Sequence, residues 1–230
     1  MKSFSRKNQC LSAGILYLIV IFTGLFSELG VREAFFSQDQ ISNTIQNWES
    51  SSFFLRMGIA SDMVMVLADI GLAWVFWVLF RKDFPELSIL AASFRIVQAA
   101  MIGSNLNNLI KVILAPIDSI TLNTLYSSME AHRMGYLMSG IPFGVCCILL
   151  AFMMVKSSWF SKILGWMVGI AGIAYLVDSF TQLLFPAYGN LTEILILSTA
   201  VITELTLCIY LLWNGIKKSA NEISPFEPTI

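Results

Sequence analysis

The chain has 230 residues, of which 57% are hydrophobic and 13% charged, and its mean hydropathy is +0.74. This composition excludes a water-soluble globular domain, in which about a quarter of the residues are charged. The formal net charge is −1, so the chain lacks the basic excess with which proteins bind nucleic acid. The partner that the composition indicates is the lipid bilayer.

Six apolar windows follow one another along the chain, each close to the roughly 20 residues that cross a hydrocarbon core of about 30 Å. They are residues 11–29, 57–80, 87–114, 132–155, 163–185 and 191–214. All six are expected to be helices, because a helix satisfies its own backbone hydrogen bonds in lipid. We predict an all-α polytopic membrane protein with six transmembrane helices in an antiparallel bundle. Residues 1–218 would form this single domain, and residues 219–230 a short cytoplasmic tail.

Basic residues near the helix ends predict the orientation of the bundle. When both termini are placed in the cytoplasm, nine lysines and arginines lie on the cytoplasmic side and four on the outer side. The outer four are Arg32, Arg56, Lys111 and Arg133. This asymmetry predicts a multi-pass protein of the cell membrane with cytoplasmic termini.

Four of the six windows carry polar residues on one helix face, at depths where an isolated charge costs about 2.5 to 3.5 kcal/mol. Such faces must point at one another or at water rather than at lipid. The predicted binding cluster consists of Asp69, Arg95, Gln98, Asn105, Asn108 and Glu204. A second group of ionisable residues is expected nearer the outer surface, and consists of Glu28, Asp62, Asp178, Glu193 and His132.

Two interpretations of the binding cluster are open. In the first, Arg95 is neutralised by Asp69 or Glu204, and the amides join helices through hydrogen bonds worth about 1 kcal/mol or less each. In the second, the polar faces line a cavity in which Arg95 binds an anionic or polar ligand and the outer carboxylates relay a cation or a proton. One arginine between two carboxylates leaves an excess negative charge, which a proton or a bound cation would balance.

The sequence offers little support for other chemistry. A single histidine, His132, excludes multi-histidine zinc sites and bis-histidine haem sites. No G-x-S-x-G elbow, P-loop or dinucleotide fingerprint occurs, so hydrolase, NTPase and nicotinamide chemistry lack a motif. We therefore predict no catalytic residue, no metal and no cofactor. His132 is expected at the membrane interface, with proton sensing as the alternative role.

Two glycine spacings indicate that helices approach each other closely. They are Gly140-x-x-x-Gly144 and Gly165-x-x-x-Gly169, the second followed by Gly172. Small residues at this spacing let helix backbones come together. Packing within the bundle is the first interpretation, and the interface of a homo-oligomer is the second.

Two blocks of the sequence carry a recurrent pattern. The first, within residues 52–110, contains Phe54, Arg56, Ser61, Asp62, Asp69, Phe94, Arg95, Gln98, Asn105 and either Asn107 or Asn108. The second, KSSWFSKILGWMVGIAGIAYLVDSF, contains Ser157, Leu164, Gly165, Gly172, Tyr175 and Asp178, with Pro186 just beyond it. Together they resemble a bacterial family of small membrane proteins that is catalogued as a domain of unknown function. Mild departures from its pattern occur at residues 142–145 and at Ser161.

The resemblance implies a six-helix architecture and a bacterial inner-membrane location, and it brings no established activity with it. Our leading hypothesis is a non-enzymatic membrane protein that binds or moves a small solute or ion through a polar intramembrane cavity. One alternative is a membrane-embedded enzyme that acts on a lipid-like substrate. The other is a structural or partner-binding membrane subunit. A vestibule reaching Arg95, a lateral opening or a dry paired core would distinguish the three.

Overall fold

The computed structural model describes residues 5–33, 48–115 and 121–217. These residues are almost entirely helical and contain no strand, which confirms the predicted all-α fold. Six helical spans are long and apolar enough to cross a membrane, as predicted, so the chain is a multi-pass membrane protein. The predicted tail, residues 219–230, lies outside the described residues.

Seven α-helices build the six spans. They are α1 (Arg6–Leu25), α2 (Trp48–Phe80), α3 (Pro85–Asn105), α4 (Asn107–Leu114), α5 (Leu122–Lys156), α6 (Lys162–Leu184) and α7 (Gly189–Ile216). A π-helical segment, Phe26–Arg32, continues α1, and α3 and α4 together form one span. Ser5, Thr121 and Ser161 cap α1, α5 and α6, because each hydroxyl accepts a hydrogen bond from a backbone N–H three residues later.

Several helix boundaries differ from the predicted ones. The second span begins at Trp48 instead of Met57, and the fourth begins at Leu122 instead of His132. Hydropathy detects only the apolar part of a helix, and both helices extend beyond it through polar turns. The third span is interrupted at Leu106, where the Asn107 side chain donates to the Ser104 carbonyl and competes with the regular backbone pattern.

The six spans form a closed ring, in which α1 packs on α2, α2 on α3, α3 on α5, α5 on α6, α6 on α7, and α7 on α1. We call the end where α1 begins and α7 ends the termini side, and the opposite end the far side. Gly215 lets α7 approach α1, since a Cβ atom there would lie 2.6 Å from Leu11 Cα. The ring is therefore closed by backbone contact.

Apolar side chains fill the half of the ring on the termini side. Tyr17, Phe76, Phe80, Leu150 and Leu211 are among its buried core residues. Two smaller apolar clusters lie farther along the described bundle. The first is formed by Met65, Val66, Ala99 and Ile102, and the second, on the far side, by Leu55, Leu106, Leu109 and Ile113. Most of the buried charged and amide side chains lie beside these two smaller clusters.

The two glycine spacings are used within the bundle. Gly144 on α5 and Gly172 on α6 face each other so closely that a Cβ atom on either would come within 2.8 Å of the carbonyl oxygen of the other. Gly165 lies in the same way against the backbone nitrogen of Val155. These positions let α5 and α6 pack with their backbones almost in contact.

Candidate functional site

An ion pair between α2 and α3 lies at the centre of the bundle. The Arg95 guanidinium donates through Nη2 to Asp69 Oδ1 at 2.5 Å, and both residues are 2% exposed. Of the two carboxylates predicted to neutralise Arg95, the structure thus selects Asp69. Breaking such a pair on one side leaves an uncompensated buried charge.

Two aromatic rings from other helices enclose Arg95. Its guanidinium carbon lies 5.4 Å from the ring centroid of Tyr17 on α1 and 5.2 Å from that of Phe143 on α5. Both distances fall within the range of cation–π attraction. Arg95 on α3 is therefore held by side chains from three other helices, α1, α2 and α5.

Glu204 lies beyond this pair. Its Oε1 accepts a hydrogen bond from the Tyr175 hydroxyl at 3.0 Å, and the Tyr175 ring packs edge-on against Phe143 with centroids 4.8 Å apart. Tyr175 and Phe143 therefore link Glu204 to Arg95, and the two charges form no ion pair. Glu204 was the other predicted partner of Arg95, but the structure gives its carboxylate a tyrosine as partner.

Arg95 keeps two of its donor nitrogens free. Nε and Nη1 are buried and have no hydrogen-bond partner, and the same is true of Gln98 Oε1, one helical turn away on α3. The small space that Arg95 lines with Phe76, Ala91 and Cys146 is too narrow to admit a water molecule. An open cavity at Arg95, as the second interpretation expected, is thus not present in this conformation.

A second charged cluster lies on the far side, around Arg32. Its Nη1 donates to Asp62 Oδ2 at 2.6 Å and its Nε to Glu28 Oε2 at 2.7 Å. Arg32 is 6% exposed, so this basic residue of the predicted outer side is buried in the bundle. The π-helical segment carries the first span far enough to bury it against α2. The Glu28–Arg32 spacing of i, i+4 was the signal that could have found it.

His132 is buried beside this cluster. Asn105 Nδ2 donates to the His132 carbonyl at 2.7 Å and lies 3.2 Å from its Nδ1, while Nε2 has no partner. Asn108 donates to Asn105 Oδ1 at 2.9 Å, which joins the two predicted asparagines. His132 is buried within the bundle, and α5 begins ten residues before it, at Leu122. Its place at the membrane interface stays a prediction.

The remaining predicted residues lie apart from these groups. Asp178 is buried and accepts a hydrogen bond from Gln182, whose Oε1 accepts one from Arg133. Arg133 is exposed and pairs with Glu130 through two hydrogen bonds. Glu193 is exposed on α7.

Seven buried polar residues lie at successive depths from the centre of the bundle to the far side, and we call them the polar column. They are Arg95, Asp69, Gln98, Asn105, His132, Asp62 and Arg32. Asp62 lies two turns, or about 10 Å, beyond Asp69 on α2, and Asn105 lies about 15 Å beyond Arg95 on α3. In the described residues no three His, Cys, Asp or Glu side chains are arranged to hold a metal ion. The column holds three separate hydrogen-bonded groups, Arg95 with Asp69, Arg32 with Asp62, and Asn105 with His132, whose donors and acceptors suit binding of polar species.

Replacing Arg32 with alanine tests the buried nature of the second cluster. We expect a loss of about 3 to 5 kcal/mol in unfolding free energy, because Asp62 is 1% exposed and would keep its charge without a partner. Arg133→Ala is the control, and should cost about 1 kcal/mol or less because its ion pair is exposed. Unfolding in detergent, followed by circular dichroism, measures both. Equal effects would show that Arg32 is not buried.

Comparison with known proteins places the chain among sequences of unassigned activity. Residues 12–215 match the family described as Domain of unknown function (DUF4386). An uncharacterized protein of Archaeoglobus fulgidus is 28% identical over 120 residues, which is 52% of this chain and 64% of that protein. The alignment thus spans less than two thirds of the relative. No solved structure gives a significant match. Because the family match covers all six spans and most of the chain, the protein belongs to the DUF4386 family, as its sequence blocks predicted.

Proposed function

We propose that the protein binds a small polar solute or ion in the polar column and moves it through the membrane. The observation that carries this proposal is the set of buried polar atoms without partners. Five of the six found in the described residues belong to the column: Arg95 Nε and Nη1, Gln98 Oε1, His132 Nε2 and Asp62 Oδ1. Each buried group left unpaired costs about 1 to 3 kcal/mol. A column that served stability alone would have no reason to keep them.

The packing around Arg95 supports a conformational change. Tyr17 and Phe143 cover the guanidinium, and no water molecule fits into the space beside it. In a conformation in which water or a ligand reaches Arg95, these donors would form hydrogen bonds. The free-energy cost of leaving them unpaired would then be removed. The structure is then the closed state of a protein with two states. The interruption at Leu106 and the π-helical segment are places where the far ends of two spans can move.

The charge balance favours a cation, and a proton above all. Each arginine of the column has two carboxylates nearby. Arg32 binds Asp62 and Glu28, and Arg95 binds Asp69 and is linked to Glu204 through Phe143 and Tyr175. One carboxylate at each arginine is therefore left to be balanced by a proton or a metal cation. An anionic solute would meet this excess negative charge before it reached Arg95.

The proposal includes a bacterial inner membrane with both termini in the cytoplasm. The basic residues support this orientation more strongly once Arg32 is paired inside the bundle. Among the described residues, seven lysines and arginines then lie on the termini side, against Arg56, Lys111 and Arg133 on the far side. The positive-inside rule places the richer side in the cytoplasm.

Flux measurements in proteoliposomes test the proposal. Vesicles containing the purified protein and a trapped pH-sensitive dye receive a potassium diffusion potential, and sodium or potassium gradients are tested in parallel. We expect proton entry in the wild type and at least a roughly tenfold slower rate in Gln98→Met, which keeps the side-chain length but removes the unpaired acceptor. Glu193→Gln is the matched control and should leave the rate unchanged, since Glu193 is exposed and outside the column.

Cysteine labelling gives a second readout. The four native cysteines are all buried and are first replaced. A cysteine at Gln98 is expected to react with a membrane-impermeant thiol reagent under the driving force and to be protected without it. If no cation moves and the position stays protected in both conditions, the column is a packed structural core, and the proposal fails.

A further inference from the structure

A groove opens on the membrane-facing surface of the bundle, on the far side between α2 and α4. It is lined by Arg56, Ile59, Ala60, Ile110, Ile113 and Leu114 and has a volume of about 200 Å³. Five of its six lining residues are apolar. Because it faces the bilayer, the molecules that can fill it are lipid acyl chains.

Arg56 at this groove differs from the other arginines of the described chain. Arg32, Arg95 and Arg133 each pair with a carboxylate, and Arg6 and Arg81 lie over the rings of Trp159 and Trp77. Arg56 is exposed and has neither kind of partner among the described residues. A guanidinium with all its donors available at a membrane surface is suited to bind a phosphate.

The depth of Arg56 fits the position of lipid headgroups. The predicted apolar window begins at Met57 and the helix extends beyond it to Trp48, so Arg56 lies at the far-side edge of the apolar part of α2. From this depth a long side chain extends its charge to the headgroup region while its methylene groups stay in the hydrocarbon. The apolar residues of the groove, such as Ala60 and Ile113, then lie at the level of the acyl chains.

We infer that the groove is a phospholipid site, in which Arg56 binds the headgroup phosphate and one acyl chain lies against Ile59, Ala60 and Ile110. The cationic mouth and apolar floor match the two parts of such a molecule. The site is separate from the polar column and does not depend on its function. The inference gives a role to Arg56, which is not part of the polar column.

Native mass spectrometry of the full chain in detergent tests this site. The two probes are phosphatidylglycerol and the diacylglycerol with the same acyl chains. We expect the wild type to retain phosphatidylglycerol and to bind the diacylglycerol at least about tenfold more weakly, as expected for the loss of one charge-assisted hydrogen bond. Arg56→Gln should weaken the binding of phosphatidylglycerol to the same extent. Ala60→Phe, which fills the groove, should weaken the binding of both lipids.

Lys111→Gln is the matched control, because Lys111 is an exposed cation on α4 that does not line the groove. It should retain phosphatidylglycerol within about twofold of the wild type, whereas one lost charge-assisted bond costs about tenfold. Three results would each overturn the inference: wild-type retention in Arg56→Gln, equal binding of the two lipids, or equal losses in Arg56→Gln and Lys111→Gln. Displacement of phosphatidylglycerol by millimolar inorganic phosphate would also do so, since it would show a site for free anions.

Discussion

Asp69→Ala is expected to lower the free energy of unfolding by about 3 to 5 kcal/mol, because it leaves the buried Arg95 charged and unpaired. Asp69 is the only carboxylate that pairs with Arg95 in the described residues, and two of the arginine's nitrogens already lack acceptors. The nearest replacement, Glu204, is held by Tyr175. Denaturant unfolding in detergent micelles, followed by circular dichroism, measures the loss.

The double variant Arg95→Met with Asp69→Leu separates stability from function. Replacing both charges with apolar side chains of similar size is often neutral or stabilising, so the double variant should regain most of the lost stability. A pair that only holds the helices together would leave the cation flux of the double variant unchanged. We instead expect the double variant to fold and to lose that flux, because Arg95 and Asp69 belong to the polar column. A loss below about 1 kcal/mol in Asp69→Ala would contradict the burial of this pair, since such a loss is typical of exposed pairs.

Gly144→Ala is expected to destabilise the bundle by about 1 to 3 kcal/mol, the usual cost of overpacking a close contact. The added Cβ atom would lie 2.7 Å from the Gly172 carbonyl oxygen, and backbone cannot move aside as a flexible side chain can. The two helices must therefore separate along their whole contact. Thermal unfolding of the purified variant measures the change.

Gly103→Ala is the control for this variant. Gly103 also lies within a membrane helix, but a Cβ atom there would meet only Val66 Cγ1, at 3.8 Å. The substitution should be neutral or should stabilise the helix by up to about 1 kcal/mol, the difference in helix propensity between the two residues. Similar losses at the two positions would mean that the α5–α6 contact is looser than described.

Much of the fold follows from hydropathy, because the bilayer fixes the length of an apolar helix. The six spans and their order were predictable for this reason. The helix ends were less so, since residues 122–131 and 48–56 are too polar for an apolar window yet continue the helices. The interruption at Leu106 and the π-helical segment depend on local hydrogen bonds and on packing against α2, which hydropathy does not report.

The candidate site was predicted in part. The polar helix faces made Asp69 one of two predicted partners of Arg95, and the structure pairs these two residues. Arg32 was missed because it follows the apolar window, although Glu28 precedes it by one helical turn. The positions of His132 and Glu204 depend on which way their helices face, and Tyr175 enters only through the contact of α6 with α7. Such pairings between side chains on different helices cannot be obtained from a single sequence without contact information.

The closed ring imposes an order on assembly during synthesis. The ion pair of Arg95 and Asp69 joins helices that are neighbours in the chain, so it can form as soon as both have entered the bilayer. The contact of Leu11 with Gly215 joins α1 to α7 and must wait until the ribosome has made both. Until then α1 can pack only on α2 and leaves its other face to lipid. The contacts of α7 with α1 and α6 are therefore the last to form. A nascent protein stalled before α7 would leave exposed the faces of α1 and α6 that this helix later covers.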